Sequence, residues 1–194
     1  MAESVFPVKK FPEKPYSSEE KPLFHGIVRP LKDGDLEAIR PILETWVRDS
    51  GTGQILPEEV EEDLEFMRKS VRAENSRSYL VAEDTNNRTV IGVVGFMPPS
   101  DRMKEFAVTF NPAELVNAYV AKENRAGQGV GSALVRGIEM TAKAKGHTEI
   151  VLNSGPRYQK TAWGFYDQLP GFQRVGIAEK LYGDRNAPVW RKLL

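Results

Sequence analysis

The chain has 194 residues, enough for one ordinary domain with a tail and too few for two comfortable ones. Apolar residues make up 40% and charged residues 28%, which supports a real core, and 27 basic side chains balance 27 acidic ones, so bulk charge gives no case for a nucleic-acid partner or an anionic membrane surface. The absence of cysteine excludes disulfides, thiolate metal sites and a thiol nucleophile.

Residues 1–24 read as an extension, with Pro7, Pro12, Pro15 and Pro22 among charged residues and no sustained hydrophobic period. The start has no apolar run of signal-peptide length and no later segment approaches a membrane span, so a cytoplasmic protein without a membrane partner is expected. Residues 25–194 carry the domain.

Ile27 to Leu31 reads as a short strand with proline at its edge. Asp33 or Asp35 can cap a helix through Leu36, Ile39, Ile42-Leu43 and Trp46, and Ser50-Gly51-Thr52-Gly53 breaks it. Pro57 opens a second helix with the apolar stripe Val60, Leu64, Met67 and Val71. Its acidic run Glu58 to Asp63 reads as a solvated face near the positive helix end, with attraction of a cationic substrate as the alternative.

Tyr79 to Ala82 and Val90 to Phe96 are strands around an Asn86-Asn87 turn, and Pro98 to Pro112 reads as a long polar loop. Glu114 to Ala121 is another strand. The helix after it has the stripe Val130, Leu134, Ile138 and Ala142 and ends at Gly146. Glu149 to Asn153 is a strand, Tyr158 to Leu169 a helix, and Phe172 to Ile177 and Val189 to Leu193 are strands. This order predicts one α/β domain around a mixed sheet.

Between the strand ending at Ala121 and its helix lies Gly127-Gln128-Gly129-Val130-Gly131. Glycines let the backbone bend tightly and turn N–H groups toward one point, and the helix start adds the positive end of its dipole, so the turn suits a pyrophosphate. A tight turn that binds nothing is the plain alternative. A nucleoside triphosphate loop needs Gly-Lys-Ser/Thr where Gly131-Ser132-Ala133 stands. The dinucleotide fingerprint wants a third glycine at Ser132 and an acid ending the next strand, where Asn153 stands.

The stretch from Glu114 to Phe172 resembles the GNAT superfamily of N-acetyltransferases. The family's Arg/Gln-x-x-Gly-x-Gly/Ala signature falls with its glycines on Gly129 and Gly131, Gly127 being a frequent extra one. Its first position falls on Ala126, with Arg125 one place earlier, which is a departure. The segment Ala162 to Phe172 is similar to the family's Ala-x-x-x-Tyr-x-x-x-Gly-Phe pattern with Pro170 inserted, and Gln159 stands where asparagine is frequent. Two motifs in this order, about 35 residues apart, are far more specific than either alone. The resemblance implies a mixed, mostly antiparallel sheet of about seven strands flanked by about four helices.

It also implies acetyl-CoA as cosubstrate. The phosphates would rest on Arg125, Ala126, Gly127, Gln128, Gly129, Val130, Gly131 and Ser132. The pantetheine arm would enter between two splayed strands, along Ala118, Tyr119, Val120 and Ala121 on one side and Leu152-Asn153 on the other, with Gln159 and Tyr166 beside it. Without cysteine, direct attack of an amine on the thioester is the economical route. By resemblance Tyr166 is the general acid toward the leaving thiol, with plain packing as its alternative. Glu114, the only carboxylate on the strand, stands where the family often places a base, and an exposed strand-start residue is its alternative. Asn117 or Tyr119 can orient a water instead. His25 and His147 read as surface residues, and no ligand pair has metal spacing, so no metal is expected.

The expected function is an N-acetyltransferase acting on a primary amine of a small molecule, amino acid or peptide. The alternative is a non-catalytic acyl-CoA sensor on the same fold. The acceptor is expected to be shaped by residues 49–57 and the 98–112 loop, and the oligomeric state stays open, a homodimer included.

Overall fold

A computed structural model describes residues 24–125 and 127–194. The expected extension, apart from its last residue, and Ala126 lie outside the described residues. Among the described residues the chain runs β1 (Gly26–Pro30), α1 (Leu36–Trp46), α2 (Pro57–Val71), β2 (Ser78–Asp84), β3 (Thr89–Met97), α3 (Asp101–Lys104), β4 (Pro112–Val120), α4 (Val130–Ala144), β5 (Glu149–Asn153), α5 (Gly164–Gln168), β6 (Gln173–Tyr182) and β7 (Arg185–Leu193). The seven strands form one sheet in the order β1-β2-β3-β4-β5-β7-β6. Only β4 and β5 are parallel, joined through α4.

The hydrophobic period explains which face each element buries. β3 is buried from Val90 to Phe96, as a strand covered on both faces must be. On one face α4 lies close: a side chain on Gly92 would meet Leu134, and one on Gly137 would meet Val28 and Leu80. On the other, Tyr79 lies over Gly95 and reaches toward α2 through Asn117 and Asp63. The α4 stripe Val130, Leu134, Ile138 and Ala142 is buried throughout, and Gly146 closes the helix at φ +86°. In α2 the stripe holds at Val60, Leu64 and Met67, whereas Val71 in the last turn is exposed.

Three expectations need correction. Asp35 does not cap α1 with its side chain. Its carboxylate accepts two hydrogen bonds from Arg29, at 2.7 and 2.8 Å, and one from the Lys32 N–H, which ties β1 to the approach of the helix. The 98–112 segment is not simply a polar loop: it contains α3, whose Met103 is fully buried against Val151, Ala178 and Val189. This helix brings the count among the described residues to five. The predicted 158–169 helix is composite, with a 3₁₀ turn at Pro156–Tyr158, a π-helical turn at Gln159–Trp163 and α5. A widened turn of this kind shifts side chains around the axis and is frequent at functional sites.

Candidate active site

Strands β4 and β5 pair only at Pro112–Glu149, Ala113–Ile150 and Glu114–Val151. β4 runs on to Val120 and β5 to Asn153, so the sheet opens into a cleft beyond Glu114. β4 also bulges against β3 between Val93 and Gly95, and Asn117, opposite that break, has φ +51°. Left-handed backbone is rare for a side-chain-bearing residue, and asparagine tolerates it best.

At the outer end of β4 the chain turns through the glycines into α4. Gly127 has φ +90° and Gly129 +76°, conformations that favour glycine. The first α-helical bond is from the Ala133 N–H to the Gly129 carbonyl, at 2.9 Å. The N–H groups of Val130, Gly131 and Ser132 therefore start α4 without intrahelical acceptors, as at any helix N-terminus. Gly131 is closely approached, since a Cβ there would lie 3.1 Å from the Phe165 ring, which would have to shift slightly to admit it. These donors and the space above Gly127, where a Cβ would meet nothing within 4 Å, fit a pyrophosphate.

Other residues of this set have partners inside the protein. Arg125 stacks on Trp46 at 4.3 Å and donates to the Thr161 carbonyl at 2.6 Å, so its guanidinium bridges the two sides of the cleft mouth. Gln128 donates to the Glu123 carbonyl. Of the strand-edge groups from Ala118 to Ala121, the Val120 carbonyl accepts the Trp46 indole N–H at 2.8 Å and the Ala121 N–H donates to Ile91. Gln159 is exposed in the π-helical turn.

Glu114 is buried, not exposed, at the closed end of the cleft. Its oxygens accept the Ser100 N–H at 2.9 Å and the Asn153 amide at 3.3 Å, and Asn153 in turn accepts the Tyr182 hydroxyl at 2.7 Å. Burial pushes the Glu114 carboxyl above the usual range, against the Ser100 hydrogen bond. Tyr166 is 6% exposed, with its ring 5.3 Å from those of both Phe165 and Trp190. Burial raises its hydroxyl far above the ordinary phenol, so it stays protonated at neutral pH and has a proton to give. No hydrogen bond to that hydroxyl is present among the described residues.

Across the cleft mouth, Tyr119 and Tyr158 bring their hydroxyls to 3.3 Å. Arg157 pairs with Glu59 of α2 at 2.9 Å, so α2 walls one side of the cleft. One turn on, Asp63 accepts the Asn117 amide at 2.7 Å. Sequence reasoning missed this residue, placing it on a solvated face. The 49–57 segment reaches the β6–β7 turn through Arg185 to Ser50 at 3.1 Å. His25 is exposed, while His147 is half-buried edge-on to Phe96. Among the described residues no group of three or more His, Asp or Glu side chains is placed to hold a metal, and no helix is long and apolar enough to cross a membrane.

Human N-acetyltransferase 8B is 33% identical over 115 residues, which is 59% of this chain and 46% of that protein. The chain spans about half the length of the curated relatives it matches. Among solved structures, a GNAT-family protein from Desulfovibrio desulfuricans superposes with a TM-score of 0.68 at 17% identity, over 87% of this chain and 98% of that one. A spermidine N-acetyltransferase chimera from Vibrio cholerae gives 0.63 at 19% identity, over 87% and 95%. At such identities the likeness concerns the fold, which is that of these proteins. The sequence itself matches the acetyltransferase (GNAT) family over residues 40–172, more than half its length, and to that family the chain belongs.

Proposed function

We propose that the protein is an acetyl-CoA-dependent N-acetyltransferase that acetylates a primary amine on a small molecule, amino acid or peptide. The observation that carries this reading is the opening of β4 from β5 beyond Glu114, with a glycine turn and free helix N–H groups at its outer end. An extended amide-bearing arm fits between two strand edges, and a pyrophosphate fits the helix start. Acetyl-CoA would supply the activated acyl thioester.

The residues of this chain then divide the work. Val130, Gly131 and Ser132 offer N–H donors to the phosphates, and Gly127 and Gly129 shape the turn. Arg125 must leave Thr161 or Trp46 if it is to join them. The edges of β4 from Ala118 to Ala121 and of β5 at Leu152-Asn153 receive the arm, and Tyr119 and Gln159 line its path. Tyr166 gives a proton to the leaving sulfur, a role suited to a phenol that burial keeps protonated. Glu114 stands at the closed end, and as a base it would have to release Ser100 or Asn153.

The test is thiol release from acetyl-CoA with a panel of amines that includes spermidine, amino acids and short peptides. Amine-dependent release is expected for at least one class. Tight coenzyme A binding with no thiol released from any of them would instead favour the acyl-CoA sensor.

A further inference from the structure

Resting on the acetyltransferase reading, we infer that Asp63 is the group that takes the proton from the incoming ammonium, with Asn117 and Tyr79 as its positioning residues.

Asp63 lies one helical turn after Glu59, so both project from the same side of α2. Glu59 is ion-paired with Arg157 on the opposite wall, which turns that side of the helix toward the cleft. Asp63 Oδ1 accepts the Asn117 amide at 2.7 Å, and Asn117 Oδ1 accepts the Tyr79 hydroxyl at 2.9 Å, itself approached by Arg77 at 3.3 Å. The Asn117 amide therefore has one orientation, and the carboxylate is held against the bulge where β4 leaves its register with β3. Asp63 Oδ2 has no hydrogen-bond partner among the described residues.

Glu114 is less suited to the task. Both of its oxygens have partners, and it is 4% exposed, whereas Asp63 is half-buried. The titratable groups that face Asp63 are Arg77 ahead of β2, Glu59 and Glu62 on its own helix, and the neutral hydroxyls of Tyr79 on β2, Tyr119 on β4 and Tyr158 after β5. Burial pushes its carboxyl up to about 6, with the Asn117 hydrogen bond and Arg77 acting against that rise. It is then ionised at pH 7 to 8 and a stronger base than an ordinary aspartate.

The proton balance closes. An ammonium group brings three protons. One goes to Asp63 and on to solvent, freeing the lone pair that attacks the thioester carbon. As the new C–N bond forms, the C–S bond breaks. Tyr166 protonates the sulfur and recovers a proton from the nitrogen, and the third proton stays on the amide.

The test compares wild type, Asp63→Asn and Glu114→Gln. Asp63→Asn keeps an oxygen for Asn117 and removes a carboxyl whose burial costs stability when it is ionised, so the melting temperature should be no lower than wild type and coenzyme A affinity should match it. The expected result is an inflection near pH 6 in kcat/KM that survives Glu114→Gln and disappears in Asp63→Asn, with a fall of about 100-fold or more at pH 8. Independently, carbon NMR of the side-chain carboxyls should show Asp63 titrating near 6 in the free protein. An inflection lost in Glu114→Gln and kept in Asp63→Asn, or a midpoint near 4 for Asp63, overturns the assignment and leaves the acetyltransferase reading standing. No turnover by wild type with any amine overturns both.

Discussion

Tyr166 illustrates how one side chain can serve packing and chemistry together. Its ring fills the space between Phe165 and Trp190, while its hydroxyl has no hydrogen-bond partner among the described residues. Tyr166→Phe keeps the ring and orphans no neighbour, so the fold should be unaffected. If the hydroxyl is the acid, kcat falls by about 100-fold, the lower end for a lost general acid, while coenzyme A affinity stays within about twofold. Steady-state kinetics beside calorimetry makes the distinction, and unchanged turnover assigns Tyr166 to packing alone. Arg125 is the other residue whose position departs from a simple reading. It is held between Trp46 and Thr161, so the departure from the family signature at Ala126 is accompanied by a side chain engaged elsewhere.

The element that carries most of the proposal is the start of α4. Gly129, its N-cap, has φ +76°, where an added Cβ crowds the carbonyl and costs roughly 1–2 kcal/mol. Relief of that strain reorients the N–H groups of Val130 and Gly131. Gly129→Ala should therefore weaken coenzyme A binding by about tenfold, which corresponds to ~1.4 kcal/mol, with a smaller effect on the Tm measured without ligand. Affinity equal to wild type would show that the turn does not hold the phosphates.

A second element, the junction of β1 with α1, ties pH to stability. Burial raises the Asp35 carboxyl, but its hydrogen bonds from Arg29 and the Lys32 N–H outweigh that and hold it below the usual carboxylate range. An acid depressed in the folded state adds stability that is present above its unfolded pKa of about 3.9 and is lost as pH falls through the lower folded value. Asp35→Asn should destabilise the protein by on the order of 1 kcal/mol at pH 7, given the partial exposure of the pair. The difference from wild type should shrink below about pH 4 in urea titrations, and a difference that grows on acidification would contradict the assignment.

For the whole molecule, the periodic elements were legible because burial imposes period. The stripe Val130, Leu134, Ile138 and Ala142 is one buried face, and the run from Val90 to Phe96 is a central strand. The strand order and the opening between β4 and β5 were not in the residues taken alone. The opening came with the resemblance and the order with the structure, since which strands pair depends on contacts between distant segments. Asp63 was hidden for a related reason. Five acids among the six residues from Glu58 to Asp63 spread round a helix, and only the approach of Asn117, 54 positions later, selects the one that is drawn inward. An exposed strand start stood as the alternative to Glu114 as base because nothing in the sequence announces that the 98–112 segment folds back to cover it with Ser100 and α3.

The claim on which the rest depends is that the cleft and the glycine turn receive coenzyme A. Titration of the purified protein with coenzyme A in a calorimeter tests it most directly. The account predicts saturable binding of one molecule per chain, and a Tm that rises with ligand concentration by mass action, equivalent to about 2.7 kcal/mol at a hundred times Kd. No heat of binding, together with a Tm that stays fixed as coenzyme A is added, would contradict it.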